Sequence, residues 1–196
     1  NQISNMEIGD VSADTVVTMT YTDDAQQGVK IHLAHDASDN MELILGDGPV
    51  YYDTSTPSTG ESGISTPKMV LRRDGSSLKT VFALVHEPFT GGATAIQSVD
   101  KTIIESNGVP VELALTITFT DGRVDHHLFS LDGDDEVNIE DQRSMSVGPL
   151  SANASYAAAI TDGPDCDLYL IGGTSASCGT KSLSLPEAVR SEERRV

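Results

Sequence analysis

The run Val111-Glu112-Leu113-Ala114-Leu115-Thr116-Ile117-Thr118-Phe119 places a large apolar residue at every odd position. Side chains on a strand alternate between faces, so a period of two predicts a strand with one face on a core. The same reading gives further strand candidates at Thr15–Thr22, Val29–His35, Met41–Leu45, Lys68–Arg72, Lys79–His86, Ala95–Glu105, Val124–Leu131, Ser155–Ile160 and Leu168–Ile171, with the opening run extended to Val109–Thr120. Asp47-Gly48, Asp74-Gly75, Asn107-Gly108, Asp121-Gly122, Asp132-Gly133 and Asp162-Gly163 punctuate them. Such dipeptides suit the positive φ angles of tight turns. Long stretches with apolar residues at i, i+3, i+4 and i+7 are absent. Many short strands with turn chemistry between them predict an all-β protein, a single-domain antiparallel β-sandwich of jelly-roll-like type.

The segment Lys68–Phe89 carries the sharpest local expectation. Two apolar runs flank Asp74-Gly75, which predicts a β-hairpin whose second strand, Thr80-Val81-Phe82-Ala83-Leu84-Val85, is buried. That strand is expected to stop at His86-Glu87-Pro88, because proline cannot donate to a ladder.

Length and composition fit one domain spanning 14–185. At 196 residues with 38% hydrophobic residues the chain can bury a core, and with 5% aromatics and no Trp that core is aliphatic. Residues 1–13 are polar and read as an entry arm; Asp53–Thr66 is rich in Ser, Thr, Gly and Pro and reads as an exposed loop. Residues 186–196 read as a charged tail. No apolar run approaches the roughly 20 residues that span a bilayer. The first residues lack Met and a signal core, as expected of a mature chain or a piece of a longer one.

Thirty acidic against twelve basic residues leave a formal charge of −18. Such a surface repels nucleic acid and anionic membranes and suits salty or extracellular surroundings, so a secreted or periplasmic location is expected. Cys166 and Cys178 have the spacing to face each other across a hairpin through Gly172-Gly173-Thr174. A disulfide there would add roughly 3 kcal/mol in an oxidising compartment; two inert thiols are the alternative.

The order of segments resembles the C-terminal β-sandwich region of heparinase II/III-like polysaccharide lyases. The resemblance rests on Leu71-Arg72-Arg73 before a Gly turn, then Thr80–Phe89 ending in FALVHEPF, then Ile96-Gln97-Ser98-Val99, then Thr120–His127 within TDGRVDHHL, and a late hairpin over Ala157–Gly173. It covers roughly residues 15 to 185. It implies a parent protein that cleaves acidic polysaccharide by β-elimination, with catalytic groups largely on a helical toroid. This chain has no such helices, and His32-Leu33-Ala34-His35-Asp36 has the wrong spacing for the family's metal word. No catalytic residue is therefore carried over.

The residues themselves suggest several constellations. Lys68, Arg72, Arg73 and Lys79 are the only basic concentration, and Tyr51 and Tyr52 stand nearby in sequence. Guanidinium binds carboxylate or sulfate in bidentate fashion and Tyr can stack a sugar ring, so this set is the candidate site for an acidic polysaccharide such as alginate or a glycosaminoglycan. Adjacent Arg72 and Arg73 point to opposite strand faces, and ordinary surface charge is the alternative. Asp132, Asp134 and Asp135, within Asp132-Gly133-Asp134-Asp135-Glu136, form the densest acidic run and are the candidate calcium ligands, without EF-hand spacing. Asp125 and His127 share a strand face as two prospective metal ligands short of a third. His86 and Glu87 are adjacent, face opposite ways and do not converge as an acid–base pair. Asn153-Ala154-Ser155 fits a glycosylation acceptor.

These readings lead to a non-catalytic carbohydrate-binding module, partnered by a catalytic lyase domain in the same parent chain. A structural domain packing on the lyase toroid is the alternative. A small β-fold lyase acting through His86 or His127 with a nearby Tyr is a second alternative.

Overall fold

The computed structural model describes residues 4–10, 15–21, 24–34, 40–49, 65–76, 79–91, 93–131 and 143–186. Among them there is no helix. The strands are β1 (Ser4–Asp10), β2 (Val16–Tyr21), β3 (Asp24–Leu33), β4 (Met41–Pro49), β5 (Ser65–Arg73), β6 (Leu84–Thr90), β7 (Ile96–Ser106), β8 (Val109–Phe119), β9 (Val124–Ser130), β10 (Arg143–Val147), β11 (Leu150–Asp162), β12 (Asp165–Cys178) and β13 (Lys181–Ser184). All their pairings are antiparallel. The all-β, antiparallel expectation holds.

The chain divides into two compact units, residues 1–12 with 38–78 and residues 13–37 with 79–196. The first is a three-stranded sheet with β4 between β1 and β5. The polar segment expected to be an arm thus contributes a strand. Asp47-Gly48, expected to turn, continues β4 and pairs with Pro67 and Thr66.

The expected Lys68–Phe89 hairpin is not formed. β5 pairs with β4, whereas β6 pairs with β3 in a separate sheet ordered β2-β3-β6, so Asp74-Gly75 lies in a connection between sheets. Residues 79–83 carry no strand, and β6 is half buried rather than buried: Glu87 and Phe89 point in while Leu84, His86 and Pro88 are exposed. Pro88 does not end β6, since Val29 pairs with it. An edge strand tolerates that proline because its outer side needs no N–H donor.

The remaining strands form one sheet ordered β13-β12-β11-β9-β8-β7, with β10 added on β11. Asn107-Gly108 makes the β7–β8 turn with φ values of 54° and 74°, as the dipeptide predicts. Gly122 and Gly163 turn β8–β9 and β11–β12 with φ of 94° and 57°.

The long β11–β12 hairpin folds back on itself. An extended strand advances about 3.3 Å per residue, so Cys166 and Cys178 on β12 would stand about 40 Å apart if it ran straight. They are disulfide-bonded with Cα atoms 6.6 Å apart. The bend lies where Gly172 adopts φ 57° and the β11–β12 register slips between Asn153 and Ala154. A Cβ on Gly173 would lie 2.5 Å from that of Ala154 and 2.6 Å from the Asn153 carbonyl oxygen, so the backbones meet there without a side chain between them. Ser155 Oγ donates to the Gly172 carbonyl at 3.2 Å. The expected bond is present, but Gly172-Gly173-Thr174 is a bend inside one strand rather than the turn of a hairpin.

Folding back splits the sheet into two layers. The first contains β7, β8, β9, the end of β11 and the start of β12; the second contains β10, the start of β11, the end of β12 and β13. Ala114, Leu128, Ala157, Ala159 and Cys166 from one layer meet Met145, Leu150, Ala152, Ala176 and Cys178 from the other in a single apolar cluster. Alanines dominate it, which permits the close approach of backbones at the bend. The opposite face of the first layer is covered along β7 and β8, where Val99, Leu113, Leu115 and Ile117 pack with Ala34, Val81, Ala83 and Val85. It is left open toward β9, β11 and β12.

Candidate functional site

Strand alternation builds the open part of that face. On β9, Asp125, His127 and Phe129 point one way, while His126, Leu128 and Ser130 point into the two-layer core. Register then aligns partners: Phe129 pairs with Tyr156 and Tyr156 with Ile171, while His127 pairs with Ala158 and Ala158 with Tyr169. The Phe129 and Tyr156 rings lie 4.9 Å apart between centroids, and His127 lies 6.2 Å from Tyr156 and 6.4 Å from Phe129. Tyr169, half exposed at 50%, closes the row on the far side of the small Ala158. The result is a strip of rings across three strands, with the buried Ala158 between His127 and Tyr169.

Polar groups edge the strip. His127 Nδ1 and Tyr156 Oη share a hydrogen bond of 3.0 Å. Burial pushes the His127 imidazole below its ordinary value, against the pull of Asp125, so the ring is neutral near pH 7. Burial, seconded by Asp125, pushes the Tyr156 phenol up. Asp125 is buried, and its Oδ1 lies 3.3 Å from Arg123 Nε without forming a hydrogen bond. Arg123 stacks on Phe119, 3.7 Å from the ring centroid. A buried carboxylate oxygen without a donor is costly.

The basic set expected to bind a polyanion is arranged differently. Lys68, opposite Gly46, and Arg72, opposite Glu42, share one face of β5, and Arg73 lies on the other, as alternation requires. Arg72 Nε donates to Glu42 Oε2 at 2.8 Å, its Nη2 touches the same oxygen, and Asp74 stands 3.7 Å away. Its guanidinium is thus already matched by carboxylates. Lys79 belongs to the second unit and is exposed. Tyr51 and Tyr52, and the calcium candidates Asp132, Asp134 and Asp135, lie outside the described residues. Among the described residues no three or more His, Cys, Asp or Glu side chains are grouped to hold a metal, so Asp125 and His127 gain no third ligand.

Glu87 does find a histidine, but not its neighbour. His86 is exposed, as expected from alternation, and Glu87 Oε2 instead meets His32 Nε2 at 2.7 Å across β3 and β6. Thr94 Oγ1 donates to the same carboxylate at 2.7 Å, and the Ala95 amide donates to its other oxygen. Burial alone would raise this carboxyl; the amide, the hydroxyl and the imidazole outweigh it and hold the group below the usual carboxylate range.

Sequence reasoning found Asp125 and His127 and missed Phe129, Tyr156 and Tyr169. Phe129 was within reach, since it follows His127 by two on the same strand. Tyr156 and Tyr169 depend on strand order and register, which periodicity does not specify. His32 stands 55 residues from Glu87. Comparison with known protein families, characterised proteins and solved structures finds no match for this chain. The likeness to heparinase II/III-like lyases rests on the short sequence words quoted above.

Proposed function

We propose that this protein is a non-catalytic carbohydrate-binding module whose site is the ring-bearing face of β9, β11 and β12. The observation that carries the reading is the cross-strand strip of His127, Phe129, Tyr156 and Tyr169, edged by the Asp125–Arg123 pair. Sugar rings present apolar C–H faces to aromatic rings and hydroxyls to carboxylates, and this face offers both partners. Asp125 and Asp167 outnumber Arg123 along it, so it favours a neutral glycan over the acidic one expected from Lys68 and Arg72. The disulfide supports export to an oxidising compartment. Delivery of glycan to a lyase domain in the same parent chain is the part of the proposal that rests on the resemblance alone.

A β-elimination enzyme is the second reading, favoured by the 3.0 Å contact of Tyr156 with His127. The electrostatics weigh against it. A tyrosine base needs a lowered phenol pKa, and this one is raised; a uronate needs a cation, and Arg123 on this face is already ion-paired with Asp125. Affinity electrophoresis in gels holding a neutral β-glucan or alginate tests the binding proposal. Retardation by the neutral polymer, lost in Tyr169→Ala, is expected. Free migration in every gel overturns the module reading, and release of unsaturated uronate from alginate overturns its non-catalytic part.

A further inference from the structure

The ring-bearing strip is closed at one end and open at the other. On β8, Leu113, Leu115 and Ile117 stand in register beside Phe129, His127 and Asp125 of β9. They share the face of the rings, yet they are only 6, 7 and 8% exposed. They lie under the cover to which Ala34, Val81, Ala83 and Val85 contribute, and Phe129 packs against the same cluster. The Ala34 amide donates to the Ala83 carbonyl at 3.1 Å, tying two parts of the cover together. Lys101, buried on β7, donates from Nζ to the Val81 carbonyl at 3.5 Å and fastens the cover to the sheet. The exposed rings therefore begin against a wall at β9. At the far end β13 pairs with β12 only over Ser175–Cys178, so among the described residues Asp165–Ile171 is an open edge, with Tyr169 half exposed on it. Neighbouring strands lie about 4.8 Å apart, so β9 to β12 spans about 10 Å, the length of a disaccharide.

We propose that the strip takes the terminal disaccharide of a neutral glycan chain, which enters over the β12 edge and stops against the cover beside β9. This rests on the carbohydrate-binding reading above and adds which part of the polymer is held. The rings are aligned across the strands, so a glycan lying along them would have to displace Val81 and Ala83 to continue. The test is calorimetric titration of the folded chain with neutral β-gluco-oligosaccharides of two and six units. One protein per chain and equal affinity for both are expected, because further units only extend past Tyr169 into water. A site accepting any two neighbouring units would find five registers on the longer chain and bind it about fivefold more tightly. In gels, equal masses of one glucan are expected to retard the protein more after partial hydrolysis, which multiplies the chain ends. Fivefold tighter binding of the hexasaccharide, more than one protein per chain, or retardation unchanged by hydrolysis overturns the chain-end assignment and leaves the binding module standing. Absence of both heat and retardation with every glucan overturns the two together.

Discussion

The two outward faces of the folded-back sheet make an instructive pair. The first layer shows rings and a buried carboxylate beyond the edge of its apolar cover. The second shows small polar side chains in two cross-strand ranks, hydroxyls but for one amide: Ser144, Asn153, Ser175 and Ser184, then Ser146, Ser151, Ser177 and Ser182. Both are built by the same alternation on partly the same strands, β11 and β12, on opposite sides of one bend. They differ in what water can do for them. Exposed serine hydroxyls are fully satisfied by solvent and gain little from a ligand. The ring face leaves apolar surface wet, as at the half-exposed Tyr169, so a ligand has something to relieve. Regular side-chain spacing is therefore no guide to recognition; poor hydration is.

The largest test of this comparison addresses the bend that separates the faces. Gly173→Ala forces a methyl group against the Asn153 carbonyl and Ala154, and is expected to cost about 3 kcal/mol, the upper part of the overpacking range, read by urea denaturation. Loss of the crosslink in Cys166→Ser/Cys178→Ser is expected to cost about 2–4 kcal/mol by the same measure. On the ring face, Tyr169→Ala is expected to lower glycan affinity at least about tenfold, or 1.4 kcal/mol, while the unfolding midpoint barely moves. A midpoint that falls as far as in Gly173→Ala would mean that Tyr169 is structural.

Acid is expected to lower stability in two steps, the first from β9 and the second from β6. Folding depresses the His126 and His127 pKa values below 6.5, so the unfolded chain binds protons first. Stability is complete above pH 6.5 and declines as pH falls from there through the folded values. Glu87, lowered from 4.5, adds a second decline below that pH. Denaturation midpoints across pH 3 to 8 report both, and His127→Gln is expected to shrink the upper one. The smallest effect belongs to the second face: Ser151→Ala is expected to leave both affinity and stability unchanged, and a loss of glycan retardation there would transfer the site to the hydroxyl ranks.

What the sequence disclosed follows from the range of each signal. Val109–Phe119 announced itself because alternation is local, and Asn107-Gly108 because its backbone angles are set by the two residues themselves. Asp74-Gly75 carries the same turn chemistry and misled, since the strands on either side pair elsewhere. Arg72 looked available for a ligand until Glu42, thirty positions away, was placed across from it. The bend in β12 was legible only as a pair of glycines. Its consequence, Cys166 beside Cys178 in separate layers, needed the register of β11 as well.

The division into two units carries a consequence for synthesis. The chain passes between them after residues 12, 37 and 78, so each unit is assembled from separated stretches. On the ribosome, β3 can pair with β2 at once but must wait for β6 to gain its second neighbour, and β1 must wait for β4. A chain ending anywhere before residue 65 would lack strands of both units at once. Any continuous fragment that retains the whole second unit must therefore carry residues 38–78 of the first.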